Sequence, residues 1–577
     1  MKKSHIYIAS GLLFISALFT SCNDDFLDRK SLDEVPSDVY FTKPKDLETY
    51  VNQYYTNAFF PKYANHGSDY DSDDQFFANS IDMRLQGTRT ITSTGTIDFT
   101  TVRSINYFLN NYQRVAENNP LNTYKQYVGE AYYFKAVAYF TLLKNYGDIQ
   151  WLDKDLGTSS PELYEPRTPR NIVVDRILSS LDSAAAYMSE DKGTGAGRIN
   201  KWIALLMQSR IALYEGAWQK YHKGTDFATE NADPSKYFTI AMQAAKKVMD
   251  SGKYAIYSTN NPSSDYRNLF SLRDYTGNPE VMFYRKYDND LSRGDNGFTN
   301  DRNLRMATPS NKTLTKQLAD SYLCIDGRPI SASNLFQGYT TLQQEVTARD
   351  PRMRQTIATP DQVWKIQTSG TTQNWSEVYS LLNQNTDYYA PTGYIIQKGY
   401  DPNVAYHVQQ FEETPSILFR YAEVLLNYIE AAAELGVATQ ADVDLTIKKL
   451  RDRAGMPNLD ISDITADSNW DFPALSPLIN EIRRERRVEL VAEGFRWNDI
   501  ARWAAADELI VGKRPKGFKA SQISSQLIPV DENGFLDPLK NSHPNGYGFK
   551  LNRDYLQSIP ISEIVLNDKL TQNPGWE

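Results

Sequence analysis

The chain has 577 residues, 41% of them hydrophobic and 23% charged, which is apolar material for a large buried core and too much for a disordered chain. Sixty-two Lys plus Arg against 71 Asp plus Glu leave a net charge of -9, which repels a phosphate backbone and excludes nucleic acid as a partner. The 38 Tyr and 9 Trp suit either a packed helical interior or a surface that stacks on sugars, and composition does not choose between the two.

Lys2 and Lys3 precede an apolar run from Ile6 to Phe19. At about 14 residues it falls short of the roughly 20 that span a bilayer, so residues 1–21 are read as a secretory signal peptide. The run ends in Phe19-Thr20-Ser21-Cys22, which resembles the lipobox of a bacterial lipoprotein with cleavage before Cys22, the expected lipidation site. Cys324 is the only other cysteine; with Cys22 acylated no intramolecular disulfide is possible, and an exported protein of this size must rely on its core. The two or three acyl chains of a lipoprotein anchor bind a membrane permanently, so the mature protein is expected to sit on the membrane by its lipid anchor only.

Further along, Tyr127, Ala131, Phe134, Ala138 and Leu142 recur at steps of three and four, which predicts a helix over Tyr124 to Tyr146 that stops at Gly147. Ile172 to Met188 behaves likewise and ends in Gly193-Thr194-Gly195-Ala196-Gly197, a linker rather than a phosphate loop because no strand precedes it. Asn200 is placed to cap a helix over Lys201 to Trp218, with Tyr237 to Asp250 as its partner. Between about Tyr254 and Thr414 the helical period fades and turn residues accumulate, with short extended runs at Val281 to Arg285 and Tyr394 to Lys398. Helices return at Ile417 to Leu435, Ala441 to Ala454 and Leu478 to Trp503, and Ser521 to Glu577 reads as an ordered tail. The expected fold is mainly α, a tetratricopeptide-like helical-hairpin scaffold with a loop-rich, partly extended insertion covering it. Its divisions fall at 22–253 (N-terminal helical region), 254–414 (insertion) and 415–577 (C-terminal region).

Several blocks then occur in order: Gly129-Glu130-Ala131-Tyr132-Tyr133-Phe134 through Lys144-Asn145-Tyr146-Gly147-Asp148-Ile149; Arg420-Tyr421-Ala422-Glu423; Leu450-Arg451-Asp452-Arg453-Ala454-Gly455; Arg484-Glu485-Arg486-Arg487-Val488-Glu489-Leu490 with Glu493-Gly494-Phe495-Arg496-Trp497-Asn498-Asp499; and Asn573-Pro574-Gly575-Trp576 at the end. Together they resemble the SusD-like (RagB/SusD) family over essentially the whole chain. The acidic start Asn23-Asp24-Asp25-Phe26-Leu27-Asp28 is similar to the export tether of Bacteroidetes surface lipoproteins. The resemblance implies a non-enzymatic outer-membrane lipoprotein, lipid-anchored and facing the cell exterior. Such a protein binds an oligo- or polysaccharide and passes it to a SusC-like TonB-dependent transporter, with the leader from Asn23 to about Pro36 as a hinge.

The shared blocks themselves read as structure. Six arginines between Arg483 and Arg502 interleave with five acids from Glu481 to Asp499, the pattern of a packed ion-pair network that holds the fold. Trp576 is expected to pin the tail.

The 5 histidines are scattered, without zinc-ligand spacing. Asp69-x-Asp71-x-Asp73 begins like a calcium loop, but Asp74 replaces the turn glycine and Ser80 the bidentate Glu, which leaves a solvated acidic loop or hydroxyl-binding carboxylates. No metal, cofactor or catalytic residue is assigned. Cys324 reads as a core residue, and the carboxylate pair Glu412 and Glu413 does not by itself indicate a glycosidase. A secreted all-α glycoside hydrolase is the alternative from another class, and a peptide-uptake member is the alternative within the family. The glycan site is expected on loops, where rings are less obliged to fill a core: Asp69, Tyr70, Asp71, Asp73 and Arg84 in one place, Trp364, Trp375 and Tyr394 in the other.

Overall fold

A computed structural model describes residues 40–576 except 57, 61–68, 92–96, 158, 289–301, 310–311, 410–411 and 524–526. The signal segment, Cys22 and the leader to Pro36 lie outside the described residues.

Helices α1 (Pro44–Asn52) and α2 (Thr100–Asn111) both pack on α3 (Lys125–Tyr146). From there helices adjacent along the scaffold pack side by side, α3 on α4 (Arg170–Tyr187), α4 on α5 (Lys201–Tyr221) and α5 on α6 (Pro234–Asp250), and α6 packs in turn on α7 (Tyr421–Glu434), which lies beyond the middle segment in sequence. This is the tetratricopeptide-like arrangement of helical hairpins. The ends follow local chemistry. Asn200 caps α5, its Oδ1 accepting from the N–H groups of Trp202 and Ile203 at 3.1 and 3.2 Å, and Asp233 caps α6 ahead of Pro234. α3 ends at Gly147, whose φ of 71° suits glycine and where a Cβ would stand 2.8 Å from Leu556.

Three of the expected helices are corrected. Ile417 to Arg420 is extended, because Ser416–Arg420 pairs antiparallel with Val281–Arg285; the helix begins at Tyr421, whose N–H bonds Glu280. The stretch after it divides into α8 (Gln440–Leu445) and α9 (Ile447–Ala454) at Thr446, whose hydroxyl turns back onto the Asp442 carbonyl at 2.6 Å. The long Arg-rich helix breaks into α10 (Pro477–Leu490) and α11 (Arg496–Arg502), with Ala492 and Gly494 at φ 62° and 82° between them.

Strands are short. Among the described residues β1 (Gln75–Phe77), β2 (Val281–Arg285), β3 (Lys312–Leu314), β4 (Val363–Ile366), β5 (Thr372–Asn374) and β6 (Ser416–Arg420) form antiparallel pairs, β1 with β3, β2 with β6 and β4 with β5. The loop-rich middle of the chain has a core of its own, from Met306 to Tyr400 with Val488, Val491 and Phe518, beside the larger helical core. Trp576 is buried against the tail, its indole N–H on the Leu556 carbonyl at 3.2 Å. Among the described residues no helix is long and apolar enough to cross a membrane.

What joins the two cores is charge. The Glu489 carboxylate on α10 takes Arg453 at 2.5 and 2.6 Å, Arg420 at 2.7 Å and Arg352 at 3.0 Å, all buried. Around it, the cations Arg352, Arg420, Arg451, Arg453 and Lys398 meet the acids Glu280, Asp350, Glu485, Glu489 and Glu493. Burial alone would raise the Glu489 carboxyl, but the three guanidiniums outweigh it and hold the group far below its ordinary value. Removing one member leaves its partners buried and uncompensated, so Glu489→Gln is expected to lower unfolding free energy by about 3–5 kcal/mol. Lys448→Gln, which breaks an exposed pair with Asp452, should leave the urea midpoint in place. Equal midpoints for the two variants would contradict the network's role.

Candidate functional site

The acidic loop expected to be solvated is instead folded inward, which corrects that reading. Asp69, Asp73 and Asp74 are buried. Asp73 takes the Arg496 guanidinium at 2.7 and 2.8 Å and Arg487 at 2.8 Å, and Asp74 takes Arg487 at 2.7 Å. Burial would raise the Asp73 carboxyl, but these two cations outweigh it and bring the group below its ordinary value. Asp69 accepts the backbone N–H of Arg496 at 3.2 Å, in the first turn of α11 where N–H groups lack helical partners. The loop therefore fixes the start of α11, and with it Trp497 and Asn498.

Asp71 does something different. It bonds Arg84 at 2.6 Å, and the Arg84 guanidinium lies 3.6 Å over the Trp497 ring. Burial raises the Asp71 carboxyl, with Arg84 opposing. Tyr70 packs beside Phe77, ring centroids 5.5 Å apart.

The second expected group lies inside the middle core, a correction to the expectation that rings on these loops are less obliged to fill a core. Trp364 is 6% exposed, Trp375 and Tyr394 0%. Trp364 donates its indole N–H to the Ala307 carbonyl at 2.8 Å, Trp375 lies 5.5 Å from the Tyr400 ring, and Tyr394 bonds Glu345 at 2.6 Å. A segment of turns, short strands and short helices still has to bury apolar surface, and its largest rings supply it.

Asp71 and Arg84 open onto a cleft between α3, α5, β6 and α11. It has two adjoining lobes of about 290 and 260 Å³ that share Lys144, Tyr214, Gly494 and Asn498 as walls. The first lobe is largely apolar, with Phe59, Val137, Phe140, Met207, Phe419 and Phe495. The second is polar: Asp71, Arg84, Arg89, Asn145, Trp497 and Gln557 line it. Every described lining residue falls within 58–214 or 417–557, so the middle core contributes none. Lys144 reaches the cleft from the last turn of α3. Burial, reinforced by the Arg210 guanidinium, pushes its ammonium down to about 8, with Asp71 opposing.

This arrangement suits binding of a polyhydroxylated ligand, with amides and cations for hydroxyls at one end and apolar walls at the other. Its carboxylates are committed: Asp71 to Arg84, Glu493 to Arg420 and Lys398, and Asp499 to Arg486. Among the described residues no cluster of His, Cys, Asp and Glu could hold a metal ion. Sequence reasoning missed Lys144, Asn145, Trp497, Asn498 and Gln557. The first four lie in blocks read as scaffold; for Lys144 and Asn145 the available signal was a polar pair in the last turn of an otherwise apolar helix.

A family model described as "SusD family" matches residues 279–576, and one described as "Starch-binding associating with outer membrane" matches residues 25–213. A SusD-like protein of Formosa agariphila is 24% identical over 466 residues, 80% of this chain and 76% of that protein. Among solved structures, a SusD-like protein of Bacteroides fragilis superposes with a TM-score of 0.69 at 21% identity, over 95% of this chain and 100% of that one. A SusD-like carbohydrate binding protein of the same species gives 0.68 at 20% identity, over 92% and 100%. Likeness at this identity establishes the fold.

If the acidic loop positions α11 through Asp73, a double-mutant cycle of Asp73→Asn with Arg496→Gln, read by urea unfolding, should show coupling of about 1–3 kcal/mol. Tyr70→Ala should add independently to Arg496→Gln. An uncoupled Asp73 pair would remove the loop from the support of the cleft.

Proposed function

The chain belongs to the SusD family, and from that premise we propose that it is a cell-surface glycan-binding lipoprotein that captures an oligo- or polysaccharide without cleaving it and delivers it to a SusC-like TonB-dependent transporter. The observation that carries the reading is the cleft, whose polar lobe joins the indole of Trp497, the Asp71–Arg84 pair and the side-chain amides of Asn145 and Gln557. The starch-binding family model that matches residues 25–213 and the likeness to a carbohydrate binding protein of B. fragilis support a sugar as the ligand. Binding rather than hydrolysis is favoured because a glycosidase needs two carboxylates available across the scissile bond, and those lining this cleft are each closed by a cation.

In this reading residues 22–253 and 415–577 form the binding body, and 254–414 is an insertion beside it. The lipidated Cys22 anchors the protein to the outer membrane, facing outward, and the leader to Pro36 gives it reach over the transporter mouth.

Calorimetric titration of the purified chain across a glycan panel should find an oligosaccharide that binds, and chromatography after long incubation should recover it intact. Arg84→Ala and Trp497→Ala should each weaken that glycan by about tenfold, the loss of a charged hydrogen bond or of its aromatic support. Shorter products abolished by a single Asp or Glu substitution would favour a hydrolase, and wild-type affinity in both variants would move the site elsewhere.

In cells, Cys22→Ala should abolish palmitate labelling. Equal label in mutant and wild type would remove the anchor.

A further inference from the structure

The polar lobe has a charge imbalance that a neutral sugar does not explain. Its walls carry Arg84, Arg89 and Lys144 against one carboxylate, Asp71, in a protein whose net charge is -9. Arg84 is paired with Asp71 at 2.6 Å and stands 3.7 Å from the Asp82 carboxylate, so these two acids are directed at it and not at Lys144. Arg89 shares the single Asp554 carboxylate with Arg553, at 3.1 and 2.8 Å. Lys144 forms no hydrogen bond or ion pair with a described residue, and its ammonium lies 5.0 Å from the centre of the Phe140 ring. The Arg84 Nε–H is buried and also has no acceptor. In the apolar lobe, by contrast, each guanidinium is closed: Arg210 by Glu423, Arg486 by Asp499 and Arg502 by Glu430.

A buried donor without an acceptor and an ammonium without a counterion are both costly in a low-dielectric cavity. An anionic oxygen gives the Lys144 ammonium the partner it lacks, and the surplus of cations in the lobe of an acidic protein draws such a group inward. We propose that the polar lobe selects a sugar unit carrying an anionic group, a carboxylate or a sulfate ester, held by the Lys144 ammonium beside the Arg84 guanidinium while the Asn145 and Gln557 amides take neighbouring hydroxyls. The inference rests on the reading of the cleft as the sugar site and names the class of sugar.

The test uses matched pairs that differ only in charge: trigalacturonate with its fully methyl-esterified form, and a sulfated carrageenan oligosaccharide with its desulfated form. The full chain should bind the charged member of one pair at least about tenfold more tightly, with the preference shrinking as salt rises. The pair that shows the preference identifies the anion as carboxylate or sulfate. Lys144→Gln should abolish most of that preference by weakening the charged member far more than the neutral one, and Lys144→Arg should retain it, with a thermal melt confirming that each variant is folded. Equal affinity for charged and neutral members, no binding by any charged member, or equal weakening of both members in Lys144→Gln would overturn the proposal. Failure here with a neutral glycan still lost in Trp497→Ala leaves the cleft as a sugar site, whereas a bound glycan indifferent to both Trp497→Ala and Lys144→Gln removes the cleft reading itself.

Discussion

One carboxylate, that of Glu489, receives guanidiniums from three separate parts of the chain: Arg352 of the middle segment, Arg420 at the end of β6 and Arg453 near the end of α9. Each of these charges is buried, and each alone would cost several kcal/mol to remove from water. They are tolerable only together and only at hydrogen-bond distance. The packing of the middle core against the helical core is therefore tied to a geometry that a purely apolar seam would not specify so narrowly, since apolar surfaces slide at small cost and charge-assisted hydrogen bonds do not.

The same device recurs on a smaller scale at the cleft. Arg487 and Arg496 draw Asp73 and Asp74 inward, and Asp69 takes the Arg496 N–H, so a loop that looks like a solvated ligand surface becomes the footing of α11. With α11 held, Trp497 supports Arg84, and Arg84 bonds Asp71 at the cleft wall. Scaffold and site share one short helix: its first arginine faces the buried acids, and the next two residues face the cleft.

Legibility of the sequence follows from the range of the interaction concerned. α3, α4, α5 and α6 were readable because period, capping and stop glycines act within a few residues; Asn200 and Gly147 do what their positions predict. The start of α7 was misplaced because Ile417, Leu418 and Phe419 suit a helix and a strand equally, and β2, more than a hundred residues upstream, decided the matter. The break between α10 and α11 turns on left-handed residues, of which Gly494 is a visible sign and Ala492 is not.

By itself the sequence determined the helical-hairpin scaffold, the balance of the Arg/Glu blocks and the family resemblance over the whole chain, because periodicity, charge alternation and ordered motifs are properties of the chain as written. The tertiary structure alone decided which aromatics and acids are buried. Trp364, Trp375 and Tyr394 became core while Trp497 reached the cleft, and Asp73 became a buried partner of arginine while Asp71, two residues away, stands at the cleft wall. The reason is that burial depends on which distant segment arrives to cover a side chain, and no local pattern of residues records that arrival.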